Sequence, residues 1–463
     1  MTEQSEPNKE KENESALTPL KSSTVFRSLW IANTASNIGT WIQDVGGAWF
    51  MTSLTTSSFH ISLMQAATTF PLFLLALPSG VGADLFDRRK LLVFTTSWIA
   101  ASAILLGFLI LFGLRSPNFL LLLTFVLNLG AALFVPTWQA SIPEMVPKEH
   151  LSGAFALNSA SLNVARAIGP AIGGFLLVAI GPWANYFVNA LTCIVLVCLL
   201  LLWKRPKTEQ SLPPEQFIGA MRAGIRYVRH SSTVKAILVR ALAFIIPASA
   251  LFALLPILVK KELHMGASAF GMLLGCVGIG ALTGVYFLPK FRTKYSFNQL
   301  VMGASLLLAT AILGLAFAKE LMVLSMLMLI AGLAWLLSLS SFNVSIMGSV
   351  PSWVRGRAGA VYLLVFYGGM SAGAILWGIL ADQLGIISTL MIASMSLATG
   401  VFLAIRFRIP QISMLNLAPS VRWAEPVVIR QINAYDQAVM VTPKGLCLPS
   451  AFGINTLRTD FAR

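Results

Sequence analysis

The sequence predicts an all-α membrane protein with twelve transmembrane helices arranged in two pseudo-symmetric six-helix bundles. Of its 463 residues, 56% are hydrophobic and only 11% are charged, whereas soluble domains typically carry about 25% charged residues. Uncharged apolar runs of about 20 residues, long enough to cross a hydrocarbon core, recur along the whole chain. The second half also repeats features of the first half at a constant offset. These observations exclude a water-soluble enzyme.

The apolar runs define the spans in chain order, each separated from the next by a short polar or charged segment. The predicted spans begin near Phe26, Phe59, Leu91, Phe119, Gly153, Trp183, Val234, Ala267, Phe297, Leu321, Ala358 and Ile386.

Around these spans, five segments are predicted. They are a disordered cytoplasmic tail (1–24), an N-terminal six-helix bundle (25–203), a cytoplasmic linker (204–232), a C-terminal six-helix bundle (233–408) and a cytoplasmic tail (409–463) that is truncated or disordered. The linker ends in "FIGAMRAGIRYVRH", which places Met221, Ile225 and Val228 on one helical face beside a face of arginines. That pattern is typical of a helix lying at the membrane surface.

Lysine and arginine are divided unevenly between the loops. The loops on the side of the N-terminus hold sixteen of them and the opposite loops hold four. Because cytoplasmic loops retain an excess of these residues, we expect both termini to be cytoplasmic, in the cell (inner) membrane. The net charge of +15 is then explained by orientation, and no nucleic acid partner is expected.

An internal repeat links the two halves. Gly80 falls on Gly284, Arg88 on Arg292, Ser141 on Ser345, Val146 on Val350 and Gly169 on Gly373, each pair 204 residues apart. Two homologous halves imply a pseudo-two-fold axis along the membrane normal and a central cavity between the halves.

The segment "GVGADLFDRRK" between spans 2 and 3 carries a recognisable motif. It supplies Gly80, Asp84, Arg88 and Arg89 at the spacing of the loop 2–3 signature of the major facilitator superfamily. Leu85 and Asp87 depart from that signature, which has arginine and glycine there. The resemblance implies that this loop closes a gate, with Asp84 held at the N-terminus of span 11. The alternative is a turn that only sets topology.

Two further segments narrow the resemblance, which covers residues 26–408. "NTASNIGTWIQDVGGAW" in span 1 and "VPTWQASIPEMVPKEHLSGAFALNSASLNVARAIGPAIGG" across spans 4 and 5 resemble the drug- and siderophore-exporter branch, with enterobactin-exporter-like proteins and the transmembrane secretion effector family. Within them, Gly169, Pro170, Gly173 and Gly174 match the end of the superfamily's antiporter motif. These four residues either support export or simply allow tight helix packing.

Polar residues inside the spans form stripes that predict a water-filled substrate cavity. The stripes comprise Asn33, Asn37, Thr40 and Asp44 in span 1, Asn128 and Gln139 in span 4, and Ser159, Asn163 and Arg166 in span 5. The alternative is hydrogen bonding between helices without substrate contact.

Two charges stand out because charges within spans are costly and usually functional. We expect Asp44 to carry an exchanged proton and Arg166 to tune it; the alternative is a purely structural ion pair. Span 4 lacks the arginine found in many antiporters of the superfamily. Arg240 is expected to snorkel to the inner surface.

The resemblance implies secondary active export of a small amphipathic molecule by alternating access, driven by proton exchange. The alternatives are an importer or facilitator on the same fold and a transport-inactive scaffold or sensor. No P-loop motif or catalytic constellation occurs in the sequence. We therefore expect a monomer that contacts membrane lipid, a small-molecule substrate and the proton, and we expect no cofactor, metal or enzymatic activity.

Overall fold

The computed structural model describes residues 17–205, 226–351, 354–402 and 406–407, with Leu77 and residues 80–85 described by their backbone alone. No strand occurs in these residues, so the predicted all-α class is confirmed. The linker residues Met221 and Ile225, and the tail 409–463, lie outside the described residues.

Twelve helices of 15 or more residues follow one another through these ranges. They are α1 (Thr24–Leu54), α2 (Ser58–Leu85), α3 (Arg88–Leu111), α4 (Pro117–Ser141), α5 (Leu151–Ala179), α6 (Pro182–Leu202), α7 (Ser232–Ile257), α8 (Ala267–Lys294), α9 (Phe297–Phe317), α10 (Leu321–Gly348), α11 (Arg355–Leu384) and α12 (Ile386–Gly400). Every predicted start lies within three residues of the observed one.

Ten of the described helical segments are long and apolar enough to cross a membrane. The α12 helix is apolar but shorter. The α1 helix has 31 residues but is not among the ten, and it carries the polar stripe of the first span. Large apolar side chains project from the surface, including Phe112 at 80% exposure and Leu202 at 75%. Such a surface suits lipid rather than water.

Several helices begin at a side-chain cap. Ser23, Asp87, Ser116, Ser231 and Ser296 each accept a hydrogen bond from a backbone N–H in the first turn of the helix that follows. These bonds satisfy N–H groups that have no partner within the helix. A short helix at Thr18–Ser22 precedes α1, so the structure differs here from the disordered tail predicted through residue 24.

The N-terminal half (α1–α6) and the C-terminal half (α7–α12) pack their helices in the same pairs. In the first, α1 contacts α5 and α6, α3 contacts α4 and α6, and α2 contacts α4; in the second, α7 contacts α11 and α12, α9 contacts α10 and α12, and α8 contacts α10. The turns before α6 and α12 both use a glycine with positive φ, Gly181 (+125°) and Gly385 (+81°). The two bundles therefore repeat one arrangement.

The register of the repeat differs from the prediction in one part of the chain. The helices α10, α11 and α12 begin 204 residues after α4, α5 and α6, as Leu321 and Pro117 show. The helices α7, α8 and α9 instead begin 208 or 209 residues after α1, α2 and α3. The pairing of Arg88 with Arg292 is therefore wrong: Arg88 is the first residue of α3, whereas Arg292 lies in the last turn of α8.

Two antiparallel helix pairs join the halves, α2 with α11 and α5 with α8. The bundle has two ends, and we name each end after a carboxylate that lies there. The Asp382 end holds the end of α1, the start of α2 and the end of α11. The Glu144 end holds the α2–α3 turn and the ends of α4 and α6.

Candidate transport site

At the Asp382 end, a carboxylate of the C-terminal half caps a helix of the N-terminal half. Asp382, near the end of α11, accepts hydrogen bonds from the Ser57 hydroxyl (2.8 Å) and from the backbone N–H groups of Ser58 (2.5 Å) and Phe59 (3.2 Å). Ser58 begins α2, so Asp382 satisfies donors that α2 itself leaves unpaired. The negative charge also lies at the positive end of the α2 dipole.

The neighbouring helix end is held by cations from the C-terminal half. Lys260, in the turn of π-helix that continues α7, donates to the backbone oxygen of Thr52 near the end of α1 (2.6 Å). Lys261 donates to the backbone oxygen of Thr56 in the loop that follows. Positive charge near the carbonyl end of a helix is stabilising. The end of α1 is thus held by cations and the start of α2 by an anion, and each charge is the one that the helix dipole favours.

Contacts between α2 and α11 continue from this end toward the middle of the bundle. The Thr69 and Ser371 hydroxyls are hydrogen-bonded at 2.7 Å. A Cβ on Gly378 would collide with Ser62. A Cβ on Gly368 would approach the ring of Phe73 to 2.9 Å. The small residues on α11 therefore let α2 approach closely along this seam.

The predicted span 5 motif lies in the second seam. A Cβ on Gly174 would come within 2.9 Å of backbone atoms of Ala267 and Gly271 in α8. A Cβ on Gly173 would come within 3.0 Å of the Ile42 oxygen in α1. Gly169 faces Trp41 of α1 in the same way, and Pro170 is buried. The motif therefore packs α5 tightly between α1 and α8.

The first part of the α1 stripe makes hydrogen bonds between and within helices. Asn37 donates to the Ser161 hydroxyl of α5 (3.1 Å), which also accepts from Thr34 (2.9 Å). Thr40 donates to the backbone oxygen of Ser36. Asn33 is buried, and its Oδ1 finds no partner in the described part of the chain. At these positions the helix-packing interpretation accounts for most of the polar groups.

Asp44 lies in α1 of the N-terminal half, near α6. Its neighbour is the fully buried Tyr186 of α6, whose hydroxyl lies beside the Thr124 side chain of α4. Gly47, one turn after Asp44, leaves room for that hydroxyl, since a Cβ there would lie 2.7 Å from it. Asp44 itself is half-buried. Within residues 17–205, 226–351 and 354–402, no lysine or arginine forms an ion pair with it.

Arg166 lies on a different side of the site. Its guanidinium carbon is 5.7 Å from the ring centroid of Trp41 in α1. Tyr367 of α11 lies in the same region, across the boundary between the halves. The structure therefore does not form the ion pair between Asp44 and Arg166 that the sequence allowed. Asp44 has Tyr186 of α6 as an electrostatic neighbour, whereas the Arg166 guanidinium lies over the Trp41 ring.

The remaining predicted residues are distributed unevenly. Asn128 is buried and donates to the backbone oxygen of Thr124 in its own helix (2.9 Å). Asn163 donates to the backbone oxygen of Ser159 one turn earlier (2.9 Å) and is half-buried. Gln139 is exposed. The structure brings Asn163 and Arg166 onto one face of α5, one turn apart.

Sequence reasoning missed a set of buried hydrogen bonds that join α6 to α1 and α5. The Asn189 amide donates to the Gln43 side chain (2.6 Å), and the Asn185 amide donates to the backbone oxygens of Ile42 (2.8 Å) and Gly173 (3.1 Å). All three amide side chains are buried. The signal was present, because Asn185 and Asn189 are one turn apart in a helix whose other residues are mostly apolar.

At the Glu144 end, the loop motif ties α3, α4 and α6 together. Arg88 donates to the backbone oxygen of Ala140 (2.8 Å) and pairs with Glu144 (2.9 Å). Arg89 donates to the backbone oxygen of Leu200 at the end of α6 (2.9 Å). Gly80 and Asp84 lie within α2, but the Asp84 side chain is outside the described part of the structure. Its predicted contact with α11 remains a prediction.

Arg205 completes this network. It pairs with Glu144 through two nitrogens, each at 2.7 Å, and with Asp87 at 3.0 Å. Partial burial disfavours ionised Asp87, but the hydrogen bond from the Lys90 N–H and the Arg205 guanidinium outweigh it and hold the pKa of Asp87 below its usual range. Asp87, one of the two departures from the superfamily signature, is therefore the cap of α3 and a partner of Arg205.

Arg240 also differs from its prediction. It is only 4% exposed, so it does not snorkel to a surface. Its guanidinium donates to the Asn298 side chain and lies 5.6 Å from the Phe297 ring centroid. These contacts place it within the C-terminal half, between α7 and α9.

Solved structures share this fold. A bacterial homologue of the human lysosomal transporter Spinster, in an inward-facing and unoccupied conformation, aligns with a TM-score of 0.64 and 15% identity over 83% of this chain and 95% of its own. A D-xylose–proton symporter aligns with a TM-score of 0.62 and 15% identity over 86% of this chain and 99% of its own. At this identity the similarity establishes the fold alone.

Curated relatives are similar over most of the chain. The staphyloferrin A transporter of Staphylococcus aureus is 24% identical over 78% of this chain and 90% of its own length. The multidrug efflux pump Tap of Mycobacterium tuberculosis is 24% identical over 84% of this chain and 94% of its own length. The enterobactin exporter of Escherichia coli is 27% identical over 78% of this chain and 86% of its own length.

The family comparison agrees with these relatives. Residues 14–444 match the model of the transmembrane secretion effector family. The match covers far more than half of the chain, and the relatives and structural neighbours are transporters rather than enzymes. The resemblance inferred from the loop 2–3 and span 5 motifs is confirmed. The chain is a multi-pass membrane transporter of the major facilitator type and belongs to the transmembrane secretion effector family.

Proposed function

We propose that this chain exports a small amphipathic molecule by alternating access, driven by inward movement of protons. The observation that carries the proposal is the closure of the Asp382 end. There Asp382, Lys260 and Lys261 of one half hold the α1–α2 connection of the other. A substrate can leave at this end only when these contacts between the halves open, and that opening is the step that alternating access requires.

Orientation gives this closure its meaning. If the loops rich in lysine and arginine are cytoplasmic, the Asp382 end faces outward and both termini lie inside. Cysteines placed at Glu149 and at Lys319, in a variant lacking the native cysteines, test this directly. A membrane-impermeant maleimide should label Lys319→Cys, and not Glu149→Cys, in intact cells. Labelling of Glu149→Cys from outside would overturn the orientation.

Two observations support export and a third supports proton coupling. The relatives include an enterobactin exporter and a multidrug efflux pump. Pro170 and the glycines of the span 5 motif lie on the seam between α1, α5 and α8. Asp44 is a carboxylate within a membrane helix with no cation partner in the described residues, and such groups are characteristic of proton relays.

Transport into inside-out vesicles tests the whole proposal. Labelled enterobactin, staphyloferrin A and ethidium are the probes, and an imposed ΔpH with an acidic lumen is the driving force. We expect at least one probe to accumulate in the lumen with wild-type protein and none with Asp44→Asn. Accumulation that ignores ΔpH would indicate a facilitator, and movement in the opposite direction an importer. Failure of every probe would favour a transport-inactive scaffold or sensor.

A retained activity in Asp44→Asn would remove Asp44 as the proton site without affecting the export proposal. Glu320→Gln is the matched control. Glu320 is an exposed carboxylate that makes no side-chain cap bond at the start of α10. We expect this variant to transport like the wild type.

A further inference from the structure

In the described part of the chain, Arg166 is a cation without a carboxylate partner. It lies midway along α5, and its backbone packs against Gly278 of α8. No carboxylate lies within 4.0 Å of its guanidinium in the described residues; the ion pairs found there involve Arg88 and Arg205 at the Glu144 end. An unpaired charge inside a membrane protein is costly. Something outside the chain can supply the missing negative charge.

The surroundings of Arg166 define what that group would look like. The Trp41 ring lies on one side of the guanidinium and Tyr367 lies nearby on α11. All three side chains are half-buried rather than sealed off. A planar guanidinium binds a carboxylate through two parallel hydrogen bonds, and neighbouring aromatic side chains provide surfaces for an aromatic ring.

Asp44, the carboxylate on the neighbouring helix α1, forms no ion pair with Arg166 in the described residues. Asp44 is three residues after Trp41 on α1, but its neighbours are Tyr186 and Gly47 on the side of α6. The three contacting helices, α1, α5 and α11, come from both halves, so a ligand held here would sense their relative movement.

We propose that Arg166 binds an anionic group of the transported molecule and that the substrates are aromatic anions, with the ring against Trp41 and Tyr367. This proposal rests on the proposed transport function, since it assigns a substrate class to the same site. It predicts that negative charge on the ligand, rather than size or apolarity alone, determines binding.

A matched pair of probes tests the charge requirement without any gradient. The purified full chain in detergent is titrated with 2,3-dihydroxybenzoate and with its neutral analogue, 2,3-dihydroxybenzamide. We expect the anion to bind about tenfold or more tightly, as a hydrogen bond to a charged group would give. Equal binding of the two probes, or failure of both to bind, would overturn the assignment.

Three variants locate that preference. Arg166→Gln should abolish it, and Arg166→Lys should retain part of it, because lysine keeps the charge but loses the two-pronged geometry. Arg240→Gln is the control, since Arg240 is also a buried arginine beside an aromatic ring but lies between α7 and α9. The control should keep the full preference. If Arg166→Gln does not elute as a folded species, Arg166→Lys decides: an unchanged preference there refutes the proposal.

The outcome is separable from that of the transport assay. Loss of ΔpH-driven accumulation with the anion preference intact would refute proton-coupled export but not the role of Arg166. Accumulation of a probe by Arg166→Gln at the wild-type rate, with the preference unchanged, would refute the role of Arg166 alone.

Discussion

The carboxylate of Asp382, near the end of α11, accepts a hydrogen bond of 2.5 Å from the backbone N–H of Ser58, the first residue of α2. A helix usually finds its cap in the residue that precedes it; here the capping carboxylate comes from the other half of the molecule. Lys260 does the reverse at the end of α1, donating to the Thr52 oxygen. The two halves thus exchange charges that match the helix dipoles, and the exchange exists only while the halves are closed at this end.

Asp382→Asn should therefore favour opening at the Asp382 end. The amide can keep one acceptor but loses the charge, and a charge at a helix end contributes about 0.3–2 kcal/mol. The closed state should lose population by about 2- to 30-fold relative to the open one. The measurement is the rate at which a maleimide reaches Ala66→Cys, a buried position on α2 between Ser62 and Thr69.

Glu320→Gln serves as the control for Asp382→Asn, because it also removes a carboxylate from a helix terminus at the same end. Its labelling rate should equal that of the parent protein. An Asp382→Asn rate that also stays at the parent value would show that the Asp382 contacts do not hold the seam closed.

Gly174→Ala should separate α5 from α8. The added Cβ would lie 2.9 Å from the Ala267 oxygen and from the Gly271 Cα, which are backbone atoms that cannot rotate away. Overpacking of this kind costs about 1–3 kcal/mol, so the melting temperature in detergent should fall. Gly303→Ala is the control, since nothing lies within 4 Å of its Cβ position. That change should leave the melting temperature unchanged or raise it, because alanine favours helix more than glycine does. Equal effects at both glycines would show that Gly174 is not needed for the close packing of α5 against α8.

Asn185→Ala should destabilise the N-terminal half without touching the substrate. Asn185 joins α6 to backbone oxygens of α1 and α5, and hydrogen bonds between membrane helices contribute about 0.6–2 kcal/mol. Asn163→Ala is the comparison, because the Asn163 amide bonds only within its own helix in the described structure. Melting should drop for Asn185→Ala and stay constant for Asn163→Ala, while transport by Asn163→Ala should fall if Asn163 lines the cavity. Equal melting shifts would remove the distinction between packing and cavity residues.

The helices were predictable because each span is a continuous apolar run, and its length can be read directly from the sequence. An apolar run ends where charged residues begin, and every start was located within three residues. The register of the repeat was predictable only for α4–α6 against α10–α12. The helices α7–α9 begin four or five residues later than the offset of 204 residues predicts. A match of common residues such as Gly80 and Gly284 cannot detect a shift of that size.

The candidate site was less predictable, for a geometric reason. Spacing shows which residues share a face of one helix, but it does not show which neighbouring helix that face meets. Asp44 and Arg166 both lie within spans, yet one faces Tyr186 and the other Trp41 and Tyr367. Asp382 carried no local signal at all, because its partners at Ser57 and Ser58 are more than 320 positions away.

The last prediction concerns Asp87 at the start of α3, which has two separable roles. It accepts a hydrogen bond of 2.9 Å from the Lys90 N–H as a helix cap, and it pairs with Arg205. Asparagine is also a good cap, so Asp87→Asn removes only the charge. Asp87→Ala removes both roles. At pH 7 we expect stability to decrease in the order wild type, Asp87→Asn, Asp87→Ala, with about 0.2–1 kcal/mol for the exposed ion pair and about 0.5–2 kcal/mol for the cap.

The pH dependence distinguishes the two roles. The pKa of Asp87 is held below its usual range in the folded protein, by the Lys90 N–H and Arg205 acting against partial burial. A lowered carboxyl pKa stabilises the folded state at any pH above the unfolded value of about 3.9, and this stabilisation is lost as the pH falls through the folded value. The difference in melting temperature between wild type and Asp87→Asn should therefore hold from pH 7 to about 5 and shrink below about 4. The melting temperature of Asp87→Ala should stay below those of the wild type and Asp87→Asn at every pH. Alanine cannot accept the cap bond, whereas a protonated carboxyl and an amide still can. A gap between wild type and Asp87→Asn that does not change with pH would show that the ion pair with Arg205 does not stabilise this end of the bundle.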